Sequence, residues 1–119
     1  MAPAKLVLIV EDDWLLRQAL VTAFAEAGWQ VLEAAKGEDA LAAAQATPRL
    51  DLLLTDIQLS GTLTGWDVAD VLRAHHTTLP VLYVSATRWD PSRLVPGGLF
   101  FDKPAAVSAL LAAARQLTR

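Results

Sequence analysis

Five short apolar runs alternate with amphipathic stretches along this chain, and four of the runs stop on polar groups. KLVLIV (Lys5 to Val10) ends in three acids, Glu11, Asp12 and Asp13. WQVLEA (Trp29 to Ala34) is the second run, and LDLLLTD (Leu50 to Asp56) the third. PVLYVSA begins at Pro80, and LFF (Leu99 to Phe101) leads into Asp102 and Lys103. A β-rich run with no polar alternation fits a strand covered on both faces, as in a parallel sheet between two helical layers.

The intervening stretches carry helical periodicity. After Asp13, a suitable N-cap, Leu15, Leu16, Leu20, Phe24 and Ala27 form one stripe that ends at Gly28. Gly37 to Ala46 is a second helix, stopped before Pro48. Trp66 to His76 is a third, with Val68, Val71 and Leu72 inward. The last runs from Pro104, with Val107, Leu110, Leu111, Ala114 and Leu117 on one face. Only TRWDPSRLVPGG separates Ala86 from Leu99, and its prolines and glycines break any long helix. The crossover helix there is expected to shrink to about one turn, with Asp90 as N-cap and Pro91 at its first position. Strands alternating with helices predict an α/β fold, a flavodoxin-like doubly wound parallel sheet of five strands in the order 2-1-3-4-5 with helices on both faces.

Composition narrows the function. With 119 residues, 54% of them hydrophobic, the chain makes one domain with a real core. A net charge of −3, with no run of Lys or Arg, argues against nucleic-acid binding and a polybasic membrane patch. The absence of cysteine removes disulfides, thiolate metal sites and thiol nucleophiles, and suits a cytoplasmic location. No apolar run approaches the roughly 20 residues needed to span a bilayer.

In such a sheet the functional crevice lies beyond the carboxyl ends of the strands. Glu11, Asp12 and Asp56 end two strands, Ser85 ends a third, and Lys103 follows a fourth. Clustered carboxylates without His or Cys suit a hard divalent cation, Mg²⁺ or Mn²⁺. A carboxylate on a metal beside an ammonium and a hydroxyl is a site for phosphoryl transfer. Three acids crowded together also predict that removing one, by Asp12→Ala or Asp56→Asn, stabilises the metal-free protein.

The apolar strand into VEDD, then LLLTD, VSA and FFDKP, each at a strand end and in this order, resemble the CheY-like receiver domain of bacterial two-component response regulators. The resemblance covers residues 1–119. It implies a phosphorylation-dependent signalling switch: Asp56 as phosphoacceptor, Glu11 and Asp12 as the acid pair, and the backbone carbonyl of Gln58 as a further Mg²⁺ ligand. Asp12 would ligate directly and Glu11 mainly through water. Lys103 would bond the phosphoryl group, Ser85 would be the switch hydroxyl and Phe100 the switch aromatic. The implied donor is a histidine kinase or histidine phosphotransfer protein, with self-catalysed transfer and slow autodephosphorylation rather than enzyme turnover. No direct binding of nucleic acid or membrane is implied.

Two stretches depart from the family pattern. LSGTLTG after Asp56 lacks the usual proline, at Ser60, and holds about one extra residue before Gly65; it is expected to leave the pocket residues alone. The shortened crossover lies where the family carries its signalling face, so Trp89, Phe100 and the start of the last helix become the expected route. Of Trp14 and Trp89, both after strands that end at the pocket, at least one is expected to be exposed. Asp51 is expected at a strand start facing solvent, and Glu33 as solvated charge. The start Met and the full last helix favour a stand-alone receiver. A pseudo-receiver that only binds proteins is the alternative, but it would be expected to have lost part of the site. An aspartyl phosphatase is disfavoured because Glu11-Asp12-Asp13-Trp14-Leu15 lacks the Asp-x-Asp pattern. Nucleotide and flavin sites are disfavoured because the first loop is acidic and carries no glycine-rich turn.

Overall fold

The computed structural model describes residues 3–86 and 90–119. Trp89, offered above as a relay, lies outside them. The elements run β1 (Leu6–Val10), α1 (Trp14–Glu26), β2 (Gln30–Ala34), α2 (Gly37–Gln45), β3 (Leu52–Thr55), α3 (Gly65–His75), β4 (Val81–Ser85), β5 (Leu99–Asp102) and α4 (Val107–Leu117). All neighbouring strands are parallel, in the order β2-β1-β3-β4-β5.

The pleat explains why the central strands are apolar throughout. Leu8, Val10, Leu53 and Tyr83 enter one core layer with Ala40, Trp66, Val68 and Leu72 of α2 and α3. Val7, Ile9, Leu52, Leu54 and Val84 enter the other, with Leu20 and Phe24 of α1 and Leu110 and Ala114 of α4. Successive side chains point to opposite faces, and both faces are covered. Asp13 caps α1, its carboxylate accepting from the Leu16 N–H, and Gly28 takes φ 95° just after the helix ends. Thr64 and Asp67 form a reciprocal capping box at α3.

The periodic stripes need three corrections. Leu15 is 74% exposed, because it lies about 100° around α1 from Leu16, which is the true partner of Leu20 and Phe24. Ala27 is exposed because it follows the helix as its C-cap. Val71 sits at the margin of the α3 stripe and is 41% exposed. The last helix also begins later than Pro104: Ala106 is extended and caps a helix that opens at Val107. The Lys103–Pro104 peptide is cis.

Between β4 and β5, the described residues hold a single 3₁₀ turn, Pro91–Arg93. Asp90 caps it, accepting from the Ser92 N–H at 2.9 Å. The rest is a strap that inserts Val95, 7% exposed, into the core. Leu94 packs against the same core, and polar bonds add further holds. Tyr83 Oη accepts from the Val95 N–H (3.3 Å), and Arg73 Nη2 donates to the Pro96 carbonyl (2.6 Å).

Candidate functional site

Strand register brings the acids together. β1 pairs with β3 so that Val10 faces Thr55, which makes Glu11 and Asp56 the next residues on adjacent strands. Ser85 faces Asp102 across β4 and β5, so Lys103 emerges beside it and its N–H bonds the Ser85 carbonyl at 3.0 Å. β1 lies between β2 and β3, where the strand order reverses, so the crevice opens there. A cavity of about 470 Å³ at this edge is lined by Glu11, Asp12, Asp56, Gln58, Ser85 and Lys103, among others.

Lys103 is the centre of the charge arrangement. Its Nζ lies 2.7 Å from Glu11 Oε1 and 2.7 Å from Asp56 Oδ2. Glu11 is 2% exposed and Asp56 5% exposed. The remaining oxygens are also used. Glu11 Oε2 accepts from the Asp13 N–H at 3.0 Å, and Asp56 Oδ1 accepts from the Ile57 N–H at 2.6 Å. Burial pushes the Glu11 carboxyl up to about 7, and the Asp56 charge adds to this; the bonds from Lys103 and Asp13 pull the other way. Burial alone would lower the Lys103 ammonium, yet its bonds to Asp56 and Glu11 hold it above the ordinary lysine value.

Asp12 is exposed, and its carboxylate belongs with the other two. Glu11, Asp12 and Asp56 each offer an oxygen, all within 4.8 Å of one another. An all-oxygen donor set fits a hard divalent cation. Neither His75 nor His76 belongs to such a group among the described residues. His75 instead places Nδ1 3.0 Å from the Val71 carbonyl within its own helix.

Phe100 does not line this cavity. Its half-buried ring stacks on Trp66, with centroids 6.3 Å apart and planes at 23°. Trp14, next in sequence to the cavity-lining Asp13, is 62% exposed.

Several contributors were not read from the sequence. Ser60 Oγ lies 3.4 Å from Asp12 Oδ2, and a single parallel bridge joins Ser60 to Lys36. The longer loop therefore adds Ser60 to the cavity lining, beside Glu11, Asp12, Asp56, Gln58, Ser85 and Lys103. Arg17 Nη1 donates to the Glu11 carbonyl (2.8 Å) while its Nε pairs with Glu33 (2.9 Å). Glu33 is thus not merely solvated. Asp51 is not merely solvated either, since its carboxylate accepts from the Leu6 N–H at 2.8 Å. Gly65 packs on the phosphoacceptor candidate's own backbone: a Cβ there would overlap the Asp56 carbonyl. A glycine directly after the acid-bearing loop and at a helix start was the available signal.

The family model described as the response regulator receiver domain matches residues 7–115. The alkaline phosphatase synthesis transcriptional regulatory protein SphR of Synechococcus elongatus is 30% identical, over 99% of this chain and 50% of that protein. The probable transcriptional regulatory protein TcrX of Mycobacterium tuberculosis is 30% identical, over 95% of this chain and 49% of that protein. The chain thus spans about half the length of these curated relatives. Among solved structures, a response regulator receiver protein from Sinorhizobium medicae superposes with a TM-score of 0.90 at 26% identity, covering 97% of this chain and 94% of that one. The receiver domain of the hybrid histidine kinase CckA gives 0.83 at 29% identity, covering 96% and 99%.

Proposed function

Because the chain belongs to the response regulator receiver domain family, we propose that it is a phosphorylation-dependent switch whose phosphoacceptor is Asp56. The observation that carries this reading is the Lys103 ammonium held between two buried carboxylates at the open edge of the sheet. A buried carboxylate with one cation beside it and an open approach is poised to take up a phosphoryl group. The donor is a phosphohistidine of a histidine kinase or phosphotransfer protein. A carboxylate oxygen of Asp56 forms the O–P bond, the N–P bond breaks, and its electron pair returns to the imidazole nitrogen. Lys103 then bonds the new phosphoryl oxygens. Ser85, buried at the cavity wall, supplies the hydroxyl that turns toward them, and Phe100 follows.

Mg²⁺ would be held by Glu11, Asp12, Asp56 and the Gln58 carbonyl, and when bound it would neutralise the phosphoryl oxygens. Ser60 and Arg17 position this set by bonding Asp12 and the Glu11 backbone. The reaction is single transfer with slow self-hydrolysis, in a cytoplasmic setting; among the described residues no helix is long and apolar enough to cross a membrane.

Two expected outcomes test the reading. Treated with a small acyl-phosphate donor and Mg²⁺, the protein gains one phosphoryl group by intact mass, and Asp56→Asn gains none; gain by the variant at the wild-type rate would refute the assignment. Mg²⁺ at ten times its Kd is expected to add about 1.4 kcal/mol of stability by mass action. Asp12→Ala is expected to abolish most of that rise. It is also expected to melt no lower than wild type without metal, because Asp12 lies outside the Lys103 pair. Asp56→Asn gains less than the crowding argument alone suggests, since Lys103 loses a partner. A melting curve indifferent to Mg²⁺ would count against the metal site.

A further inference from the structure

Resting on the reading that Asp56 carries a phosphoryl group, we infer that Trp66 relays the state of the site to the strap between β4 and β5, with Arg93 as the strap's receiving residue. Trp66 sits on the first turn of α3, buried to 7% exposure. Its ring stacks on Phe100, the proposed switch aromatic, and lies 4.8 Å from the Tyr83 ring. The Arg93 guanidinium sits over the same indole, 5.9 Å from its centroid. Trp66 therefore touches both the residue expected to move and the residue that anchors the strap.

The strap is built to respond to such a movement. Its described residues hold one 3₁₀ turn and send Val95 into the core. Arg93 also pairs with Asp67 at 3.5 Å and Asp70 at 3.2 Å, both on α3. These partners are substantially exposed, and exposed ion pairs are weak holds. A cation over an indole face depends on the position of that face. When Phe100 leaves the stack, Trp66 gains room to shift, and Arg93 must follow or let go. The α3 start with Asp67, Asp70 and Arg93 then becomes the surface that differs between the two states. The simpler account is that Trp66 only fills the core between α3 and the sheet, in which case its surroundings do not change with the state of the site.

Fluorine NMR on the full chain labelled with 5-fluorotryptophan separates the two. The four resonances are assigned by replacing each tryptophan with Phe in turn. Mg²⁺ and then beryllofluoride are added as a phosphoryl mimic. The exposed Trp14, next in sequence to the cavity-lining Asp13, reports occupancy, and Trp29, packed edge-on against Phe24 in the other core layer, is the internal control. The Trp66 resonance is expected to move by more than its line width with the Trp14 resonance, while Trp29 stays. In Phe100→Leu, at mimic concentrations that saturate the Trp14 shift, the Trp66 shift should fall below about a third of its wild-type size. By thermodynamic reciprocity, Arg93→Ala should change the mimic's binding midpoint at least threefold. A moving Trp14 with a stationary Trp66 would overturn the relay and leave the phosphoryl switch standing. An unchanged midpoint in Arg93→Ala would remove Arg93 from the proposal. If Trp14 stays put and the small donor adds no mass, the switch reading itself fails, and the relay fails with it.

Discussion

Lys103→Met is expected to destabilise the metal-free protein by about 3–5 kcal/mol at pH 8, the usual cost of stripping one partner from a buried ion pair. The ammonium bonds two carboxylates at once, and both are nearly fully buried. Methionine keeps an apolar stem of similar reach and leaves those charges facing each other. The penalty should depend on pH, and its sign follows from Glu11. That carboxyl titrates at about 7 in the folded chain against 4.5 when free, so it favours folding below about 4.5 and loses this contribution as pH rises through 7. Removing Lys103 deletes a bond that pulls this value down, so the variant's loss is greatest on the alkaline side. At pH 5 Glu11 is protonated, one charge fewer is stranded, and the cost should fall to roughly half. Urea unfolding in a chelator at the two pH values checks this. A loss under about 1 kcal/mol at pH 8, or one equal at both pH values, would show that Lys103 does not neutralise the pair.

Gly65→Ala is expected to cost about 3 kcal/mol, near the upper end for an overpacked position. The added Cβ meets the Asp56 carbonyl, and the Ile57 Cα at 2.9 Å; neither can swing away as a side-chain tip could. Gly65 also donates its N–H to the Ile57 carbonyl at 2.7 Å, so α3 and the loop after Asp56 move as one. Relief of the overlap must therefore shift the proposed phosphoacceptor itself. A displacement near 1 Å at a reacting group costs about 10²-fold in rate, so the rate of phosphorylation by a small donor should fall at least tenfold in the fraction that remains folded. Melting and the initial rate of mass gain measure the two parts. A variant within about 0.5 kcal/mol of wild type would mean that the backbone accommodates the methyl group.

The layer fold was legible because the strands and helices carry different periods. Leu6 to Val10 and Leu52 to Leu54 are apolar without alternation, as burial on both faces requires. The acid pair, Asp56, Ser85 and Lys103 were legible for a related reason: each sits at the end of a strand, and parallel register carries such ends to one edge. The short crossover was readable from Pro91, Pro96 and Gly97-Gly98, since ring and glycine geometry acts locally.

What escaped were contacts made across the chain. Ser60 meets Asp12 over 48 residues of sequence separation, and Trp66 meets Phe100 through the packing of α3 on the sheet. No local period encodes either. Leu15 and Val71 were misplaced because an apolar residue at the margin of a helical stripe scores as part of it, although only a cap or neighbouring helix would bury it. Arg17 gave no local signal either: its guanidinium reaches back over the β1 end to the Glu11 carbonyl.

If Asp56 alone receives the phosphoryl group, chemical trapping will place that group at position 56. The protein is treated with a small acyl-phosphate donor and Mg²⁺, and borohydride then reduces any aspartyl phosphate to homoserine. Peptide sequencing by mass spectrometry locates the converted residue. Homoserine is expected at position 56, none elsewhere, and none when Mg²⁺ is withheld by chelation. Homoserine at Asp12, Asp13 or another aspartate, or no conversion with donor and Mg²⁺ both present, would contradict it.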